Sequence, residues 1–115
     1  MVKRYLELQC TILKPKVAFD VDNTLVDDDG EPREKVVQLF KLLQEFGCEM
    51  YVWSTGLSDT TGAYWEDYAK ETCERLGLTA KCVPKGSFRP DITVDDLGVY
   101  DRISELTLGL VNIKV

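Results

Sequence analysis

The sequence predicts an α/β protein built on a parallel sheet in three layers, and three observations carry that reading. Short apolar runs rich in β-branched and aromatic residues, such as Val17-Ala18-Phe19 and Tyr51-Val52-Trp53, read as buried strands. Between them stand longer segments whose apolar residues recur at helical spacing, and strands alternating with helices imply parallel pairing through crossovers. Two of the strands, around Phe19 and Val94, run straight into carboxylates. In an open parallel sheet, ligands bind beyond the C-terminal ends of the strands, so those acids stand where a site is expected.

Taken in order, residues 6–13 alternate Leu6, Leu8, Cys10 and Ile12 with Glu7, Gln9 and Thr11. That is the pattern of a half-exposed strand, with a short helix as the competing reading. Lys14-Pro15-Lys16 interrupts it before the buried strand that ends at Asp20 and Asp22. Asp27-Asp28-Asp29-Gly30 reads as a turn in preference to a set of ligands, and Pro32 suits the first positions of a helix. From Glu31 to Phe46, the residues Val36, Val37, Leu39, Phe40, Leu42, Leu43 and Phe46 form one apolar face, with Gly47 placed as a left-handed cap.

Cys48 to Trp53 is the second strand, and Ser54-Thr55-Gly56 at its edge can present a hydroxyl and exposed amides to a phosphate oxygen. A polar connector, 57–61, leads to a helix from Ala63 to Leu76 closed by Gly77. Tyr64, Trp65 and Tyr68 on that helix suit core packing or surface cover better than base stacking. Thr79 to Val83 is a short third strand, followed by a loop with Lys85. Asp91 to Asp96 is a fourth, ending in Asp95-Asp96, whose crowded charge suggests a bound cation. Period-two runs from Leu106 to Val115 shift at Leu110-Val111, as in a strand bulged near Gly109, and this strand is expected near the N-terminal one.

Composition narrows the chemistry. A chain of 115 residues suits a single domain, 1–115, able to bury a sizeable core. No apolar run approaches the ~20 residues needed to span a bilayer, and the N-terminus lacks a leader pattern, so a cytoplasmic protein with no membrane partner is expected. The four cysteines, Cys10, Cys48, Cys73 and Cys82, form no Cys-x-x-Cys pair and read as reduced, buried thiols. Histidine is absent, which removes Ser-His-Asp and Cys-His relays and leaves carboxylate and lysine chemistry. A formal charge of -6 argues against a nucleic-acid partner.

Phe19-Asp20-Val21-Asp22-Asn23-Thr24-Leu25 resembles the first motif of the haloacid dehalogenase-like (HAD) superfamily, a hydrophobic strand ending in Asp-x-Asp-x-Thr. The resemblance extends from Val17 to Asp101 and implies the Rossmann-like HAD core. It also implies a phosphatase: Asp20 as the nucleophile that becomes an aspartyl-phosphate, and Asp22 as general acid-base. Ser54 resembles the second-motif hydroxyl that orients the phosphoryl group, with Thr55 as competitor. The third motif is a lone lysine, Lys85 in preference to Lys81. Asp95-Asp96, with Asp101 following, resembles the fourth. The implied cofactor is Mg²⁺, held by Asp20, the Asp22 backbone carbonyl, and Asp95 or Asp96. The intervals that hold a cap domain in many relatives contain only one helix each here, so the resemblance implies a capless member acting on a phosphorylated small molecule or protein, with an oligomer as one way to cover the site. The alternative is a non-catalytic HAD-like binding or regulatory domain. A phospho-acceptor receiver fits less well, because its acidic pair and phosphorylated Asp lie on different strands.

Overall fold

The computed structural model of the chain describes residues 14–54, 65–97 and 109–115, with the backbone alone at 65 and 66. Among the described residues seven elements follow one another: β1 (Lys16–Asp20), α1 (Glu34–Glu45), β2 (Glu49–Ser54), α2 (Trp65–Leu76), β3 (Lys81–Pro84), β4 (Ile92–Asp95) and β5 (Val111–Lys114). All pairings are parallel and the sheet order is β3-β2-β1-β4-β5. The chain thus steps outward from β1 to β2 and β3, then returns to the other side of β1 for β4 and β5. Such a reversal of direction creates a switch point beside β1, the place where open α/β sheets leave a crevice for ligands.

Right-handed crossovers put consecutive connections in one direction on one face and the return connection on the other. The packing follows this rule. Val17, Phe19, Met50, Val52 and Val94 share a core with Val36, Val37 and Phe40 of α1 and Ala69 and Cys73 of α2, so both helices cover the same face. Phe19 and Phe40 meet with ring centroids 5.0 Å apart. Each fully buried side chain of this kind stabilises the fold by about 1.5–3 kcal/mol. The opposite face, carrying Ala18, Tyr51 and Trp53, is packed by Phe88 from the returning β3–β4 connection. Among the described residues two layers are therefore present; a third layer of helix is not found in the described segments. None of the helices in those segments is long and apolar enough to cross a membrane.

Several boundaries differ from the sequence-based expectations, each for a local reason. Pro32 does not open α1: it forms a bridge with Val26, and the Arg33 amide donates to Leu25 O at 2.8 Å. The backbone of residues 31–33 is spent tying the chain back to the loop after β1, so the helix begins at Glu34. Leu42 is 46% exposed. At 100° per residue it lies roughly 140° round the helix from the centre of the Val36, Val37, Phe40 and Leu43 stripe. Gly47 and Gly77 close their helices with φ of 91° and 69°, as expected. β5 starts only at Val111; the Asn112 side chain accepts from the Gly109 amide just before the strand and donates to the Gly109 carbonyl, both at 3.0 Å, while Thr93 also donates to it. Its neighbour is β4; residues 6–13, expected to pair near it, lie outside the described residues, as do Cys10, Leu106 and Leu108. Cys48 and Cys73 are buried and Cys82 partly so, with no disulfide among the three.

Candidate active site

Asp20 is the last residue of β1, in register with Trp53 of β2 and one step beyond the Phe19–Val94 pair with β4. It consequently lies between the ends of both neighbouring strands, at the switch point. Just past it the chain turns tightly: the amides of Thr24, Leu25 and Val26 all donate to Val21 O, at 3.0–3.2 Å. Asn23 takes up the left-handed conformation this requires, with φ of 57°, a geometry asparagine tolerates better than most residues. The turn leaves Asp22 and Asn23 exposed and encloses Thr24 completely. Asp27 then builds the next turn, accepting from the amides of Asp29 at 2.9 Å and Glu31 at 3.0 Å. Its carboxylate is spent on loop structure.

Lys85 reaches the same edge from β3. Pro84-Lys85-Gly86-Ser87 forms a β-turn closed by Ser87 N–H donating to Pro84 O at 3.1 Å. Gly86 occupies the third position with φ of 81°, which a type II turn demands and other residues adopt only with strain. The Lys85 amide donates to Ser54 O at 3.1 Å. Its ammonium stands 3.5 Å from Asp20 Oδ1, with the two side chains only 10% and 14% exposed. Lys81 is elsewhere: at the opposite end of β3 it pairs with Glu49 at 3.0 Å. That separation resolves which lysine adjoins Asp20.

Ser54, 7% exposed, ends β2 beside Pro84 and beneath the Lys85 amide. Thr55, Gly56 and Asp101, named above from the sequence, lie outside the described residues. Asp95 ends β4 fully enclosed, accepting from the Leu97 amide at 3.1 Å, whereas Asp96 is half-buried. Burial pushes the Asp20 carboxyl up from 3.8 to about 6; Lys85 and the Val21 amide oppose the rise, and the charges of Asp96 and Asp95 add to it. A carboxylate held near 6 is mostly ionised at neutral pH yet more basic than an ordinary aspartate, which suits a nucleophile.

The same edge contains a residue that sequence reasoning assigned to packing. The Tyr68 hydroxyl, on α2, donates to Asp22 Oδ1 at 2.5 Å. No local pattern announces it, since the partners are 46 residues apart in sequence.

Among the described residues, no three His, Cys, Asp or Glu side chains are grouped to hold a metal ion. The donors present are nonetheless of the right type for Mg²⁺, which is commonly held by one or two carboxylates, waters and substrate phosphate instead of a closed protein cage. Asp20 and Asp96 act on each other as like charges, a repulsion that a cation would relieve. Comparison with known proteins found no matching family model, no matching curated protein and no matching solved structure.

Proposed function

We propose that the chain is a phosphomonoester hydrolase of the HAD type, with a capless core and an aspartyl-phosphate intermediate on Asp20. The observation that carries this reading is the Lys85 ammonium 3.5 Å from an enclosed Asp20 carboxylate, with Asp22 two residues on and Ser54 at the adjoining strand end. A cation beside a nucleophilic carboxylate offsets charge when a phosphate dianion arrives, the principal demand of phosphoryl transfer. An Asp20 oxygen attacks phosphorus as the bond to the leaving oxygen breaks, and Asp22 gives that oxygen a proton. Water then attacks the phosphorus, Asp22 takes its proton, and the bond to Asp20 breaks to release inorganic phosphate and restore the carboxylate.

Ser54, with Thr55 and Gly56 following it, and Lys85 orient the phosphate oxygens. Asp20, the Asp22 backbone carbonyl and Asp95 or Asp96 would hold Mg²⁺, which supplies further neutralisation of the dianion. The net charge of -6 favours a phosphorylated small molecule or protein over a polynucleotide, and a cytoplasmic setting suits cysteines that are not in disulfides.

The test is hydrolysis of an aryl phosphate with Mg²⁺, in wild type and Asp20→Asn, with and without beryllium fluoride. Turnover that needs Mg²⁺, stops on Asp20→Asn and is blocked by beryllium fluoride is expected. Undiminished turnover in Asp20→Asn would refute the nucleophile, and full activity in excess chelator would remove the metal.

A further inference from the structure

Asp22 is exposed on the loop after β1, where an aspartate ordinarily samples several rotamers and its two oxygens interchange. A group that must meet a leaving oxygen in one geometry loses rate by such averaging. Tyr68 removes that freedom. Its hydroxyl donates to Asp22 Oδ1 at 2.5 Å, within the short range of hydrogen bonds to charged oxygen.

Tyr68 is itself well held. Its ring packs against the main core, next in sequence to the fully buried Ala69, which has the buried Cys73 one turn further along the helix. Its backbone carbonyl accepts from the Thr72 hydroxyl at 2.8 Å. A phenol O–H is a donor, and the Asp22 oxygen it meets has no proton to return, so the direction of this bond is set by the two groups themselves.

We infer that Tyr68 is a positioning residue: by occupying Oδ1 of Asp22 from a helix fixed in the core, it leaves Oδ2 as the oxygen turned to the leaving group and to water. This rests on the phosphatase reading and deepens it. Because the phenol donates to Oδ1, that oxygen stays an acceptor throughout the cycle. Asp22 therefore carries its proton on Oδ2 alone, and Tyr68 selects the oxygen without touching substrate.

The experiment compares Tyr68→Phe, Asp22→Asn and the double variant of the full chain, with Mg²⁺, on an aryl and an alkyl phosphate. Tyr68→Phe keeps the packed ring, and urea unfolding of each variant confirms that the fold persists. Expected is a loss of kcat of about 10- to 100-fold on the alkyl phosphate, whose leaving group needs the proton, and of only about 2- to 3-fold on the aryl phosphate. In the Asp22→Asn background Tyr68→Phe should cost nothing further. A second readout needs no turnover: side-chain couplings of Asp22 measured by NMR without metal should report one rotamer in wild type and averaging in Tyr68→Phe. Equal losses on both substrates, the same loss in the Asp22→Asn background, or an Asp22 rotamer indifferent to Tyr68 would each overturn the inference while leaving the phosphatase intact. A wild type that turns over neither substrate would instead bring down the phosphatase reading, and the proton-positioning role with it.

Discussion

The raised carboxyl of Asp20 makes the fold itself sensitive to pH, in a direction set by its sign. Burial carries the group from 3.8 to about 6. Between those values the folded protein retains a proton that the unfolded chain has released, so stability falls as pH rises through the window and the loss is complete above it. A gap of about two units is worth about 3 kcal/mol, of which about 2–3 kcal/mol falls between pH 4 and pH 7.5. Asp20→Asn deletes this one titration and keeps every other carboxylate. The loss of Lys85's partner enters the variant at both pH values and cancels in the difference. The assay is urea unfolding of both proteins in chelator at the two pH values. Wild type should lose about 2–3 kcal/mol more stability than the variant on going to the higher pH. Equal losses, or a larger loss in Asp20→Asn, would refute the account of Asp20 as an enclosed and only partly compensated charge.

Two further outcomes follow from the same geometry. Lys85→Met removes the strongest influence holding the Asp20 carboxyl down and should raise its titration above about 6 by about 1–3 units, read from the carboxyl carbon by NMR in chelator; an unmoved midpoint would contradict the ion pair. Thr24 is fully enclosed and its Oγ1 has no hydrogen-bond partner among the described residues, so Thr24→Val should raise the urea midpoint at constant m-value, by about 1 kcal/mol in stability. A loss of similar size would mean that the hydroxyl is bonded after all.

The elements legible in the sequence were those whose signal is local. The stripe of Val36, Val37 and Phe40 marked α1, Gly47 and Gly77 marked its end and that of α2, and the apolar runs before Asp20 and Asp95 marked β1 and β4. Pro32 misled because a proline near a helix start looks the same whether the helix opens there or, as here, the chain first bridges back to Val26. The strand ends of the candidate site were legible for a different reason. In an all-parallel sheet every C-terminal end lies on one edge, so Asp20, Ser54, Pro84-Lys85 and Asp95-Asp96 must share that edge whatever the strand order. Which of them touch depends on the order, and β1 sits between β2 and β4. That central position gives Asp20 a neighbour on each side, while the turn at Gly86 carries Lys85 from β3 across the end of β2 to reach it. Tyr68 has no such rule behind it. Its approach to Asp22 depends on how far along the sheet α2 lies and how it is rotated, quantities set by the packing of Ala69 and Cys73 into the core and by no periodicity in the chain. A site contact made by a strand end is therefore forecast by topology, and one made by a helix face must be seen.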